Sequence, residues 1–376
     1  MTGRVEDAAG PSRPKAYHRT QLALSLSSTA AGWAYLLLLV LTPLSAWLAA
    51  ATELTANPYL HFVLFGLAAG VLAQVYALPL SFLSGYLVEH RYQLSNQSLA
   101  GWAWARTKGA LVGAAVGLPL ALIFLACLRA FGAGWWLPVS GVLILFTVVL
   151  GRLAPTLIFP LFYEFEALAD DHPLKERIGT LSGSVGLNVA GVFRFNLSKT
   201  TKKANAAFTG LGRAKRVLLA DTLLEQFPDD EILAVVAHEL GHFKLRHIWK
   251  GMALGMVLTV VGLKLVASVH ASITAGNVTD LATLPWLALL LGLYSFATAP
   301  LANAYSRRNE FAADGYSRRL LGSGRDLASG LQRLADLNLA DRDPHPVVEF
   351  MFYNHPSITR RLVALAEDGG ATPEVD

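Results

Sequence analysis

Six stretches of this chain stay apolar for longer than a globular core helix needs: 30–51, 59–88, 108–131, 135–161, 249–271 and 281–306. A helix needs about 20 mostly apolar residues to cross the hydrocarbon of a bilayer. Within it, every backbone polar group must be satisfied inside the segment itself. Each stretch meets that length. Several carry Trp or Tyr near an end, where such rings settle at the membrane interface. Composition agrees: 53% of the chain is hydrophobic and 15% charged, against about 25% charged in soluble domains. The chain therefore reads as a polytopic membrane protein with a polar insert. Pro43, Pro79, Pro119 and Pro300 fall within the spans, and kinks are expected there. The first 29 residues are polar and include Arg4, Arg13, Lys15 and Arg19, so no cleavable signal peptide is expected.

Lys and Arg set the orientation. Arg91, Arg106 and Lys108 follow the second stretch, the segment after the fourth is rich in both, and Arg307 and Arg308 follow the sixth. Loops 52–58 and 272–280 hold neither, and the remaining one holds only Arg129. The positive-inside rule then puts both termini and the long insert in the cytoplasm. Two of the three N-x-[ST] sequons (Asn96, Asn196, Asn277) fall in those cytoplasmic segments and read as chance matches. The net charge of +4 is what basic cytoplasmic loops produce, and no nucleic-acid partner is expected. Cys127 is the only cysteine. It excludes an intramolecular disulfide and a multi-Cys metal site, so any metal must be held by His, Asp or Glu. The division expected is a polar arm (1–29), a four-span region (30–161), a cytoplasmic segment (162–248), a membrane hairpin (249–306) and a C-terminal part (307–376).

The polar segments carry their own pattern. Pro173 is suited to open a helix running to about Leu187. "GVFRFNLS" from Gly191 alternates like a strand, and "KRVLLADTLL" from Lys215 reads as a strand passing into a helix. "KTTKKANAAFTGLG" between them reads as a turn or edge strand. "FPDDEILAVVAHELGHFKLRH" reads as one helix, with Asp229 or Asp230 as its N-cap. Two or three short helices are expected after residue 306, one beginning near Pro356, and the end, "GGATPEVD", is expected to fray.

The chemistry sits in "VVAHELGHFKLRH", residues 235–247. His238 and His242 are four apart, hence on one helix face, one turn apart, and both can reach a single ion. Glu239 is turned about 100° from His238, beside the place where a metal-bound water would sit. This is the H-E-x-x-H arrangement, two zinc ligands plus a glutamate that takes the water's proton. A chance match on an amphipathic helix is the alternative, and ten histidines in 376 residues make it rare. His247 lies beyond the next turn and reads as a solvated interfacial histidine. A third ligand is needed, and Glu310 in "SRRNEFAADGYS" is the strongest candidate. Asp314, four residues on, shares its helix face and could accept the free ring N–H of a ligating histidine. Alternatively, these acids pair with Arg307, Arg308, Arg318 and Arg319 at the surface.

These residues, in this order, resemble the type I CAAX prenyl protease family of integral-membrane zinc metalloproteases, which are of the gluzincin type. The resemblance extends to "SGYLVEHRYQLSNQSL" from Ser84, "PTLIFPLF" from Pro155, "ANAAFTGLGRAKRVLLADTLL" from Ala204 and "FYNHPSITRRL" from Phe352, covering most of residues 30–365. It implies an all-α polytopic membrane protein of six or seven transmembrane helices around a large chamber. Gln74, Lys264 and His270 could face that chamber. A mainly helical, gluzincin-like protease domain with a small β-ribbon would carry the site. It implies one zinc ion per chain on His238, His242 and Glu310, with Glu239 as general base. Asp314 matches an acid sometimes assigned as proton donor. Asn205 and Ala206 match the segment that pairs with an extended substrate. His355 and Arg361 match residues near the scissile carbonyl, where either could stabilise an oxyanion. Without the resemblance, they read as a helix-start His and a solvated helix Arg. The partners implied are the bilayer and a peptide or protein substrate, prenylated or membrane-tethered. Eukaryotic members have seven spans against six here, and "TPEVD" is no dibasic retrieval signal. Both favour a bacterial plasma membrane over the endoplasmic reticulum. The rival readings are a quality-control protease of the heat-shock type and a transporter or scaffold with a vestigial zinc site.

Overall fold

The structure is a computed structural model that describes residues 12–187, 189–209 and 215–367. Six of its helices are long and apolar enough to cross a membrane. Helix α1 (Arg13–Leu41) starts well before residue 30, so the predicted span 30–51 is not one helix. The chain turns at Thr42–Pro43 into α2 (Leu44–Ala51). Pro43 is the reason. A residue before proline is pushed out of the helical region, and Thr42 is extended, with φ −122° and ψ 166°. Helix α3 (Pro58–Phe82) opens on an Asn57 side chain that accepts from the backbone N–H groups of Tyr59 and Leu60. It runs through a π-helical stretch (Leu83–Val88) into α4 (Glu89–Arg91). Then come α5 (Leu99–Phe131) and α6 (Trp136–Leu153). Pro79, Pro119 and Pro300 lie inside continuous helices.

The polar unit begins with a strand that the sequence pattern did not signal, β1 (Phe165–Ala167). Three residues show too little alternation to read. It is followed by α7 (Pro173–Ser184), β2 (Gly191–Phe195), β3 (Ala206–Thr209), β4 (Arg216–Ala220) and α8 (Asp221–Gln226). The sheet order is β1-β2-β4-β3, with β2 and β4 parallel and both outer pairings antiparallel. The segment around residue 206 is thus an edge strand. Its start is held in place twice. Asn338 gives and takes hydrogen bonds with the backbone of Ala204. The loop after α4 docks beside it, with Lys202 N–H donating to the Leu94 carbonyl and Asn96 to that of Ser198.

Helix α9 (Asp229–Lys244) carries the H-E-x-x-H residues. Its N-cap is Pro228 rather than an aspartate, and Asp229, Asp230 and Glu231 fill the first turn, where the helix dipole favours anions. It does not run on through residue 247. Arg246 takes a left-handed conformation (φ 58°, ψ 32°), and α10 (His247–Ile273) leaves in a new direction. Helix α11 (Leu284–Leu321) follows, then α12 (Arg325–Leu337), α13 (Pro346–Phe352) and α14 (Ile358–Glu367). At a rise of about 1.5 Å per residue, crossing about 30 Å of hydrocarbon uses about 20 residues. The 38 residues of α11 therefore form a span and also extend beyond it. That extension bears Glu310 and Asp314. The C-terminal "GGATPEVD" lies outside the described residues.

Helix α9 is packed on nearly every side. Ile232, Val236 and Leu240 are fully or almost fully buried and face the core built on the sheet and α7. Each such side chain stabilises by about 1.5–3 kcal/mol. Ala234 packs with Leu327, Leu331 and Leu365 of α12 and α14. Against α11 there is almost no space. A Cβ on Gly241 would lie 3.1 Å from Cα of Ala313 and 3.2 Å from its carbonyl oxygen. The Ser317 hydroxyl donates to the Ala234 carbonyl at 2.9 Å in the same seam.

The membrane helices are built differently. Their buried side chains gather near the ends: Leu128, Trp135, Val139, Val266 and Leu287 at the end away from the polar unit, with Leu39, Leu48, Phe65 and Leu281 beside them. Tyr17, Val88, Leu94 and Leu339 form the cluster at the near end. Over its whole length α3 buries only Phe65, and α6 only Val139 and Ser140. The spans also touch at mid-length: the Tyr35 hydroxyl donates to the Ala69 carbonyl, the Tyr294 hydroxyl donates to that of Leu258, and the Trp33 and Phe296 rings meet edge to face at 6.3 Å. Gln74 and Lys264 are exposed, with Lys264 over the Trp136 ring. His270 does not face an open space: it is fully buried, with Nε2 3.2 Å from Oγ1 of Thr283.

The Gly241 seam is testable. Gly241→Ala is expected to force α9 and α11 apart and destabilise the protein by about 1–3 kcal/mol. Gly109→Ala, where the added methyl meets open space, is expected to be neutral or stabilising. Thermal unfolding of the two purified variants in detergent compares them.

Candidate active site

The residues singled out in the sequence converge where α9, α11, α14 and the edge of the sheet meet. Nε2 of His238 and Nε2 of His242 are 3.2 Å apart. Glu310 completes the triangle from α11: Oε2 lies 3.4 Å from Nε2 of His238, and Oε1 lies 3.2 Å from Nε2 of His242. Among the described residues, this is the one group of His, Asp, Glu or Cys side chains placed to hold a metal ion.

A tetrahedral ion with bonds of about 2.0–2.1 Å keeps its ligand atoms about 3.3–3.4 Å apart, close to the 3.2 Å between the two histidine nitrogens; the two Glu310 distances run to different oxygens, and one ligand atom from each of the three residues lies within 4.8 Å of the others. A second observation agrees: Glu310 Oε2 is buried without a hydrogen-bond donor, a costly state for a carboxylate oxygen unless a cation faces it. Charge agrees as well. Three carboxylates (Glu239, Glu310, Asp314) gather around one guanidinium, so a divalent ion suits the site.

Asp314 and Arg361 stand behind the triangle, both buried. Oδ1 of Asp314 lies 2.8 Å from Nδ1 of His238, the ring nitrogen turned away from Glu310. Arg361 grips the same carboxylate bidentately, Nε donating to Oδ2 at 2.8 Å and Nη2 to Oδ1 at 2.6 Å. The alternative of surface ion pairs for Glu310 and Asp314 is thereby replaced by a buried cluster, because α11 is pressed against α9. Arg361, matched by the resemblance to a residue near the scissile carbonyl, gives two nitrogens to Asp314 and keeps Nη1 3.6 Å from Glu310, and it lines the same cavity as His238, Glu239 and His355. Burial works against charge on His238, but the carboxylates of Asp314 and Glu310 beside its two ring nitrogens outweigh this and raise the imidazole to about 9. Burial likewise works against Arg361, and Asp314 more than offsets it.

His355 is the exposed member of the set, its side chain 57% accessible, with Nε2 3.4 Å from Oε1 of Glu310. Burial of its surroundings lowers its pKa despite Glu310. Arg307, buried on α11, fixes the turn that carries it by donating to the carbonyls of Glu349 and Tyr353. Asn205 and Ala206 border a cavity of about 200 Å³ together with His238, Glu239 and His355, and apolar Leu223, Phe227, Leu327 and Leu331 line its far side. Glu239 also borders a second cavity, of about 480 Å³, that runs along α10 and α11 past Gly251, Leu254, Gly255 and Tyr305. The glutamate thus stands where a space in the polar unit meets a space between membrane helices.

His247 is buried, not solvated, and Nδ1 lies 3.0 Å from Nδ1 of His242. Arg307 gave no sequence signal at all, since a basic residue at the end of a span is the ordinary expectation.

Similarity to known proteins divides the chain at the same place. Residues 165–368 match the model of peptidase family M48, and residues 8–164 match the model described as CAAX prenyl protease N-terminal, five membrane helices. An uncharacterized metalloprotease, YhfN, of Bacillus subtilis is 29% identical over 85% of this chain and 76% of its own. The CAAX prenyl protease 1 homolog of Arabidopsis thaliana is 30% identical over 82% and 74%, and CAAX prenyl protease 1 of Saccharomyces cerevisiae is 28% identical over 77% and 68%. The crystal structure of S. mikatae Ste24p superposes with a TM-score of 0.85 at 24% identity, covering 97% of this chain and 92% of that one.

The Asp314–Arg361 pair predicts a specific coupling. Arg361→Met leaves a buried carboxylate without its guanidinium and is expected to cost about 3–5 kcal/mol. Adding Asp314→Asn should recover much of that, so the double-mutant cycle, read by thermal unfolding, is expected to be strongly non-additive.

Proposed function

We infer the function from the premise that this chain belongs to peptidase family M48, as a CAAX prenyl protease-like integral membrane metalloendopeptidase. The match over the N-terminal membrane region as well as the peptidase region disfavours both a quality-control protease of the heat-shock type and a non-proteolytic transporter or scaffold.

We propose that the metal is one zinc ion held by His238, His242 and Glu310, on the strength of the cluster in which one ligand atom from each lies within 4.8 Å of the others. Bound there, zinc supplies Lewis acidity, polarising a peptide carbonyl and making water more acidic. Glu239, next to His238 and open to both cavities, takes a proton from the attacking water and delivers it to the departing amine nitrogen. Asp314 accepts the Nδ1–H of His238 and so leaves Nε2 as the ligating atom. Arg361 holds Asp314 in that orientation. His355, exposed beside Glu310, is the donor proposed for the oxyanion that develops on the scissile carbonyl. Asn205 and Ala206, at the free edge of the sheet, pair with the backbone of an extended substrate. An apolar substrate side chain fits the 200 Å³ cavity behind them.

The proposed substrates are C-terminal segments of CAAX-type or other membrane-tethered proteins, since the site opens both onto the polar unit and along the membrane helices. We place both termini and the site in the cytoplasm, on the distribution of Lys and Arg. The B. subtilis relative supports a bacterial plasma membrane. Of the five segments 1–29, 30–161, 162–248, 249–306 and 307–376, we assign 162–248 and 307–376 to the two halves of one protease domain; the boundaries at 29 and 306 fall inside α1 and α11, which run across them.

The test uses purified protein with a prenylated CAAX-type peptide and an unmodified membrane protein as alternative substrates. Glu239→Gln is expected to lower the rate by about 10²–10⁴-fold with bound zinc unchanged. A chelator should abolish cleavage, and zinc should restore it. Glu310→Ala is expected to lose the metal. Zinc-loaded protein that cleaves neither substrate would overturn the reading, and a Glu310→Ala protein with full zinc content would overturn the ligand set.

A further inference from the structure

His247 lies outside the H-E-x-x-H motif, and in a continuous helix it would point away from it: five residues past His242 is a rotation of about 140°. The break at Leu245–Arg246 reverses that. With Arg246 left-handed, α10 starts afresh, and its first residue folds back so that the two rings meet nearly edge to face, 5.1 Å between centroids and 71° between planes. The contact is polar, because Nδ1 of His247 lies 3.0 Å from Nδ1 of His242. An L-residue in the left-handed region costs about 1–2 kcal/mol, and here the conformation produces this meeting.

The chemistry of His242 determines the direction of the hydrogen bond. Its Nε2 faces Glu310 and His238, so a coordinating ring must keep its lone pair there and its single proton on Nδ1. Among the described residues, the acceptor within reach of that proton is Nδ1 of His247. His247 must then carry its own proton on Nε2. The two ligating histidines are thus oriented by different means: His238 against the buried Asp314 carboxylate, His242 against a neutral imidazole at the head of a membrane-crossing helix.

We propose that His247 is a positioning residue for the metal site: its Nδ1 accepts the Nδ1–H of His242, fixing that ring's tautomer and orientation and joining the metal centre to the start of α10. The proposal rests on the reading of His242 as a ligand. What it adds is that the acceptor atom at Nδ1 of residue 247, rather than the bulk of the side chain, sustains metal binding.

Two nearly isosteric substitutions separate those possibilities. Asn at 247 places its amide oxygen where Nδ1 sits, and Gln carries it a bond further, towards the position of Nε2. Full-length protein in detergent is stripped of metal and titrated with zinc against a fluorescent chelator. Cobalt(II)-substituted samples report coordination through their visible spectrum. His247→Asn is expected to stay within about threefold of the wild-type affinity with an unchanged cobalt spectrum, while His247→Gln weakens binding by about 10–100-fold. Unfolding of the metal-free proteins checks that both are folded. His247→Leu, with the same expected loss, replaces His247→Gln if that variant does not fold. Affinity in His247→Gln equal to that of wild type, or a loss in His247→Asn as large as in His247→Gln, overturns the proposal. His242→Ala is the separate control: if it binds zinc as wild type does, the ligand assignment fails, whatever the variants at 247 show.

Discussion

At Gly241 the backbone of α9 lies so close to that of α11 that an added methyl group would sit 3.1 Å from Cα of Ala313, and the helices would have to give by a few tenths of an ångström to admit it. The metal triangle depends on that contact. His238 and His242 sit on α9 and Glu310 on α11, so the close approach of the two helices is what brings the three side chains together. Glycine inside the H-E-L-G-H motif is thus a packing requirement. The Ser317 hydrogen bond to the Ala234 carbonyl holds the helices in register, so that Glu310 faces the ligating nitrogens and Asp314 faces Nδ1 of His238.

Burial then dictates the charge arrangement around the triangle. Unpaired carboxylates at this depth would be strongly destabilising. Asp314 is neutralised by Arg361 and His238. Glu310 has only imidazoles and a distant guanidinium nitrogen for company, with one oxygen unbonded. Glu310 is thus the carboxylate of the pair that is placed to face a cation. The same electrostatics that specify a cation also separate the two acids by role, one left open to the ion and the other closed off behind a histidine.

A further consequence follows from α11 serving two solvents. Its first part is a membrane span and its last part a helix of a packed polar domain. Helix α10 enters the same site from the other side through His247. The hairpin from which these helices come is therefore mechanically continuous with the metal centre. The buried apolar clusters of the membrane helices lie toward their ends, and mid-span contacts such as Tyr35 to Ala69 and Trp33 to Phe296 join them between.

Length and hydropathy alone determined the six spans, because crossing a bilayer imposes a minimum run of apolar residues that little else requires. Helical periodicity placed His238 and His242 on one face, and the same four-residue spacing paired Glu310 with Asp314. Those are local properties, set by 3.6 residues per turn. Three other features were decided by tertiary structure. Pro43 split the first span because the residue before a proline resists the helical conformation. Arg361 went to Asp314 because α14 packs against α9 and α11 at their buried seam. His247 moved from solvent to the side of His242 because a single left-handed residue redirected the chain. Spacing along a sequence predicts neighbours only while one helix continues, and the site is completed where the helix breaks and where two helices distant in sequence touch.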